Sequence, residues 1–111
     1  MIETVYGDRL ADEVLEAYLR NLVNLLFKIL PMRENEEKTL GIYLESLIRE
    51  LVGFKGLFIT VDNDASLTQI LSILQYMTEH PECEVKTVRR EVFRAISLCN
   101  KMRERYTGVD A

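Results

Sequence analysis

Residues 84–106, with the sequence EVKTVRREVFRAISLCNKMRERY, decide the fold because they carry a long and unbroken helical pattern. Apolar side chains recur there at spacings of three and four residues, which places them on one face of an α-helix. That face consists of Val85, Val88, Val92, Ala95, Ile96, Cys99, Met102 and Tyr106. A long helix with one apolar side is typical of a bundle, in which other helices cover that side.

The same pattern predicts three further helices, so we expect an all-α fold. They cover about 8–30, 35–52 and 66–79, and with 84–106 they make four. No linker divides the 111 residues and no internal repeat recurs, which predicts a single helical domain over 1–111. An antiparallel four-helix bundle is the simplest assembly of these elements.

Local signals define the ends of the first two predicted helices. Asp8 and Asn35 have side chains suited to capping the free amides of a helix N-terminus. Pro31 is expected to stop the first helix, because the residue before a proline is pushed out of the α region. Gly53 suits the left-handed position that follows the second helix.

Residues 54–61, FKGLFITV, are ambiguous between an extended apolar connection and a minor strand. Phenylalanine, isoleucine, threonine and valine favour a strand, but a lone strand leaves its backbone groups unpaired. Residues 2–6 are the other β-like segment of the chain, and a ribbon of two strands would need to lie on the helices.

Composition excludes several classes of protein. The net charge is −4, which disfavours attraction of the whole surface to nucleic acid or anionic lipid. No window approaches the roughly 18 apolar residues that cross a bilayer, so no membrane association is expected. Residues 1–6 lack the basic and apolar regions of a secretory signal. The two cysteines, Cys83 and Cys99, are too few for a disulfide framework, and free thiols predict a cytoplasmic protein.

The apolar surface of the first predicted helix is wider than a single helix face. Leu19, Val23, Phe27 and Leu30 widen its apolar stripe, and Phe93 projects from the flank of the last helix. A single exposed aromatic residue needs no function, but a cluster of this size is typical of an interface. Two-fold pairing is the commonest assembly, so the leading prediction is a homodimeric, non-enzymatic protein–protein interaction module, an adaptor or scaffold.

Residues 84–106 also carry a basic stripe. Seven Lys/Arg stand there against three acids, a balance of +4, whereas the remainder of the chain carries −8. Five of them share an arc of about 100° away from the apolar face. They are Lys86, Arg90, Arg94, Lys101 and Arg105.

The basic stripe leaves two interpretations open. A row of cations can follow a phosphate backbone, so the alternative function is a small nucleic-acid-binding regulator. The other interpretation is a solvated face, or one paired with Asp12, Glu13 and Glu16 of the first helix. A helix-turn-helix motif around 78–81 is disfavoured, because the helix that follows is longer and more apolar than a recognition helix.

Catalytic and metal-binding patterns are lacking in the sequence. His80 is the one histidine, and with the nearby Cys83 it falls short of the four ligands of structural zinc. No Glu-x-x-His pair and no glycine-rich phosphate loop occur. The sequence therefore predicts no catalytic residues, no metal and no cofactor, and we expect the protein not to be an enzyme.

Overall fold

The structure, a computed structural model, describes residues 2–3, 9–10, 12–57 and 65–107, and the side chains of 15–55 and 65–105. The described residues form an all-α fold with a short antiparallel ladder near the N-terminus. The helices are α1 (Asp12–Phe27), α2 (Ile29–Glu34), α3 (Leu40–Leu57), α4 (Ala65–Glu79) and α5 (Val85–Thr107). The strands of the ladder are β1 (Ile2–Glu3) and β2 (Arg9–Leu10).

The helices α4 and α5 confirm the predicted helices at 66–79 and 84–106 to within one residue at each end. Most of the apolar face predicted for α5 is buried, namely Val88, Val92, Ala95, Ile96, Cys99 and Met102. Val85 is half-buried, and the side chain of Tyr106 lies outside the described residues.

The first helix starts later than predicted. Arg9–Leu10 is a strand paired with Ile2–Glu3, in the register that places Ile2 opposite Leu10. The predicted start at residue 8 is therefore wrong, because the backbone just after it forms sheet hydrogen bonds. Asp8 itself, the predicted cap, lies outside the described residues.

Pro31 does not stop the first helix, contrary to the prediction. It lies inside α2, and backbone hydrogen bonds continue across the junction, from Lys28 N–H to the Asn24 carbonyl and from Met32 N–H to the Lys28 carbonyl. A proline ring crowds the carbonyl four residues earlier, here that of Phe27, the last residue of α1. The proline therefore accounts for a break between α1 and α2, one turn before its own position.

Asn35 ends α2 and is not the N-cap of the next helix, so this prediction and the start at 35 are wrong. Glu36 has a φ of 52°, in the left-handed region. The Glu36 N–H donates to the Arg33 carbonyl and the Glu37 N–H to the Met32 carbonyl, at 3.1 and 3.0 Å. This pair of hydrogen bonds is the Schellman motif, which satisfies the last carbonyls of a helix.

The second long helix, α3, runs to Leu57, so Gly53 lies within it and the predicted end at 52 is wrong. Phe54 continues the buried face of α3 three residues after Leu51 and stacks on the ring of Tyr18, with centroids 4.1 Å apart. Burial of this ring explains why 54–57 is helical rather than a strand or an extended connection. Residues 58–61 lie outside the described residues.

Neighbouring helices run antiparallel, as predicted for a four-helix bundle. Across α1 and α5, Glu16 meets Arg103 and Leu19 meets Cys99, so residue numbers rise along one helix as they fall along the other. Across α1 and α3, the Tyr43 hydroxyl donates to the Leu25 carbonyl. The long helices thereby enclose one core made mainly of leucine, isoleucine and valine.

Candidate functional site

Two exposed aromatic rings meet across α1 and α5. Phe27 is 42% exposed and Phe93 is 47% exposed. Their ring centroids lie 5.9 Å apart and their planes are 80° apart, the edge-to-face arrangement that aromatic rings favour. We call these two residues the aromatic pair. Each ring holds the other in place, and about half of each remains open to solvent.

The other residues of the predicted interface are more buried. Val23 and Leu30 are half-buried and pack against the core. Leu19 is fully buried, and its carbonyl accepts a hydrogen bond from the Cys99 thiol at 3.2 Å. The prediction that Leu19 belongs to an exposed contact surface is therefore wrong. Its side of α1 is covered within the same chain by α5.

The basic stripe of α5 is exposed and weakly paired. Arg90 and Arg94 both approach Glu91 of the same helix, at 3.4 and 3.5 Å. Arg105 donates to the Ser66 hydroxyl of α4 at 3.3 Å. Lys86 and Lys101 form no ion pair with any described carboxylate. Exposed pairs at such distances contribute little free energy, so Arg90 and Arg94 stay available to an anion.

Pairing of the stripe with the first helix is not observed in the described part of the chain. Glu16 instead binds Arg103, which lies off the stripe, at 2.6 Å, and both side chains are largely buried. The side chains of Asp12 and Glu13 lie outside the described residues. The acid that faces the stripe is Glu91, which α5 itself supplies.

A groove of about 360 Å³ lies beside the stripe, between α4 and α5. Arg90 and Arg94 line one side of it, and the exposed ring of Tyr76 lines the other. The Tyr76 ring also contacts the ring of His80, with centroids 4.4 Å apart. The basic stripe itself contains no aromatic residue, because Tyr76 belongs to a different helix. The sequence indicates that Tyr76 lies off the apolar face of α4 and is therefore exposed. It does not indicate that Tyr76 lies beside Arg90 and Arg94, because that depends on how α4 and α5 pack.

The two cysteines are free and unlike each other. Cys83 is half-buried in the turn between α4 and α5, whereas Cys99 is buried in the core. Burial raises the pKa of the Cys99 thiol to about 12, and the nearby Arg103 only partly opposes this. A thiol with so high a pKa is a poor nucleophile at neutral pH, so Cys99 is a core residue rather than a reactive one.

The described residues form neither a cluster of metal ligands nor a helix suited to crossing a membrane. No three His, Cys, Asp or Glu side chains come together there as a metal site. His80 lies 3.6 Å from Glu82 at the surface, without a third such group. None of the described helices combines the length and the apolar character that crossing a bilayer requires.

No family model, no curated protein and no solved structure matches this chain. The surfaces that the described residues form are therefore the features that bear on function. Two of these continue the predictions made from the sequence. They are the aromatic pair with its half-buried neighbours Val23 and Leu30, and the basic stripe with the groove beside it.

Proposed function

We propose that the protein is a non-enzymatic interaction module that forms a homodimer through the aromatic pair. The observation that carries this proposal is the edge-to-face contact of Phe27 and Phe93, which keeps two large apolar rings together and half exposed. Rings held in this way lose little conformational freedom when they are covered, which favours their use as the centre of an interface.

A two-fold dimer would bring the aromatic pair of one copy against the same pair of the other. The exposed part of each ring is roughly 90 Å², so covering four rings contributes about 9 kcal/mol. Association costs about 4–15 kcal/mol in lost motion. The rings therefore supply the centre of the interface, and Val23, Leu30 and a polar rim must add to it.

Replacing Phe27 by Glu tests this proposal. The side chain is exposed in the monomer, so the variant should fold, but its charge would be buried in the dimer and should prevent assembly. Sedimentation velocity should show the wild type moving from 12.9 kDa towards twice that mass as concentration rises, and the variant staying at 12.9 kDa.

Replacing Ile42 by Glu is the matched control, because Ile42 is an exposed apolar residue of α3 at 67% exposure, outside the proposed interface. This variant should dimerise like the wild type, and circular dichroism should confirm that both variants are helical. A wild type that stays monomeric at every concentration, or a Phe27→Glu variant with unchanged assembly, would refute the proposal.

A second candidate function is nucleic-acid binding by the basic stripe. The observation in its favour is Tyr76, whose exposed ring lines the same groove as Arg90 and Arg94. Stacking on an aromatic ring together with arginine contacts to phosphates is a common way to bind single strands. A dimer would present this groove twice, so the two functions are compatible.

Fluorescence anisotropy of labelled single-stranded and duplex oligonucleotides tests the second candidate. Binding through the stripe should weaken steeply between low and near-physiological salt. Arg90→Glu combined with Arg94→Glu should abolish it, Tyr76→Ala should weaken the single-strand complex, and Arg49→Glu on α3 should leave it unchanged. Absence of binding at low salt, or equal losses for Arg49→Glu, would exclude the stripe.

A further inference from the structure

A pocket of about 470 Å³ lies at the end of the bundle where the turn between α2 and α3 meets the end of α4. This volume is within the range of small-molecule sites. Its walls include Leu40 and Leu44 of α3 and Met77 and Pro81 from the other side. Gly41 opens the wall, because a Cβ atom added there would meet nothing within 4 Å.

Arg33 supplies a cation without a counter-ion at this pocket. Its Nη2 donates to the Cys83 carbonyl at 2.7 Å, which holds the guanidinium in place. Its Nε is buried and has no hydrogen-bond partner among the described residues, and no described carboxylate forms an ion pair with it. Arg103, the other half-buried arginine of the described residues, has Glu16 at 2.6 Å.

The contrast between the two arginines indicates what is needed at the pocket. The Nε atoms of Arg33 and Arg103 are both buried, so the two arginines differ in the carboxylate that lies beside Arg103. A half-buried charge is unfavourable without an opposite charge, and a planar guanidinium matches the two oxygens of a carboxylate. A void of about 20 Å³ adjoins the pocket and shares the wall formed by Arg33 and Met77. That void holds about one heavy atom with its hydrogens, the size of a water molecule.

The rim limits the charge of a ligand. Glu36 and Glu37 lie on it together with Lys38, so a second negative charge on the ligand would face two carboxylates. Phosphates and dicarboxylates are disfavoured for this reason. One negative charge at Arg33 and an uncharged apolar body along the leucines, Met77 and Pro81 match the lining.

We propose that this pocket binds a small monocarboxylate with a compact apolar body, whose carboxylate pairs with the guanidinium of Arg33. The site is separate from the aromatic pair and from the basic stripe, so it does not depend on either proposed function. The ligand would tie the turn after α2 to the end of α4.

Titration of the full chain with hexanoate, followed by two-dimensional NMR, tests this proposal. We expect saturable shifts at the pocket residues, and none with hexanamide, which has the same body without the charge. Arg33→Lys keeps the charge but loses the planar guanidinium, and it should weaken binding by about 10- to 100-fold.

Glycine substitutions provide a test that leaves the arginine in place. Gly41→Leu should fill the pocket and abolish hexanoate binding, since the new side chain enters open space. Gly53→Leu is the matched control, because Gly53 lies in the same helix, also has open space beside it, and does not line the pocket. Both changes replace a helical glycine, so neither should unfold the protein.

Four results would overturn the proposal. Three of them are no saturable shift up to millimolar hexanoate, equal binding of hexanamide, and hexanoate binding that survives Gly41→Leu. The fourth is unchanged binding by Arg33→Lys, which would show that the carboxylate does not use the guanidinium.

Discussion

At the scale of single residues, Cys99 is a titratable side chain that is held inside the core. It is fully buried where α5 packs on α1, and its thiol donates to the Leu19 carbonyl. Burial disfavours the thiolate and raises the pKa from 9.0 to about 12. The native state therefore holds this proton at pH values where the unfolded chain has lost it.

This shift predicts that the free energy of unfolding falls as pH rises from about 9 towards 12, because the unfolded chain then binds fewer protons than the native one. Between about pH 8 and pH 10 the loss should be about 1 kcal/mol in the wild type. Urea unfolding measured by circular dichroism at the two pH values checks this.

Cys99→Ala should remove most of that pH dependence, although it also lowers stability by leaving a small cavity. Cys83→Ala is the control, since it leaves Cys99 in place, and it should behave like the wild type. Burial raises the pKa of Tyr18 and Tyr43 as well, from 10.0, so both are half ionised in the unfolded chain at pH 10 and account for a smaller pH dependence that Cys99→Ala should retain. Equal pH slopes for Cys99→Ala and the wild type would contradict the role given to this thiol.

At the scale of elements, α2 ends at a residue whose backbone conformation is unfavourable for its residue type. Glu36 takes the left-handed conformation of the Schellman motif, where glycine is usual because a Cβ atom is unfavourable there. The sequence contains no glycine between residues 8 and 40, so no local signal marked the helix end at this position.

Glu36→Gly should raise the free energy of unfolding by about 1 kcal/mol, because it relieves the left-handed Cβ. Glu37→Gly removes the same charge one residue later, where the backbone does not have a positive φ, and it should lower stability by about 0.5–1 kcal/mol. Thermal and urea unfolding of both variants measure the difference. The explanation fails if the two variants change stability in the same direction.

Pro31, near the junction of α1 and α2, does not prevent the chain from staying helical. Local rules predicted a stop before this proline, whereas α1 ends at Phe27, the backbone of Lys28 stays in the helical region, and α2 continues through Glu34. Contacts of α2 with the rest of the chain account for the continuation, since Arg33 binds the Cys83 carbonyl and Glu34 binds Arg89 at 2.8 Å. A proline can be accommodated in a first helical turn when such contacts stabilise the helix after it.

At the scale of the whole molecule, α5 connects the proposed surfaces. One side of its exposed face carries Phe93, which meets Phe27 of α1, and the other carries Arg90 and Arg94, which face Tyr76 of α4. Salt separates the two proposed functions. Dimerisation through apolar burial should persist at high salt, whereas phosphate contacts should be lost.

The sequence by itself determined the all-α class, the extents of α4 and α5, and most of the buried face of α5. Periodicity suffices for these features, because one turn of a helix repeats every 3.6 residues whatever lies nearby. It also predicted Phe27 and Phe93 as surface residues, since both lie away from the centre of their apolar faces.

Only the tertiary structure decided which residues meet. It buried Leu19 under α5, brought Phe27 against Phe93, placed Tyr76 beside Arg90, and left Arg33 without a counter-ion among the described residues. Each of these depends on two helices that are distant in the chain. Periodicity shows which side of a helix is apolar, but the neighbour that covers that side is selected by packing of the whole core.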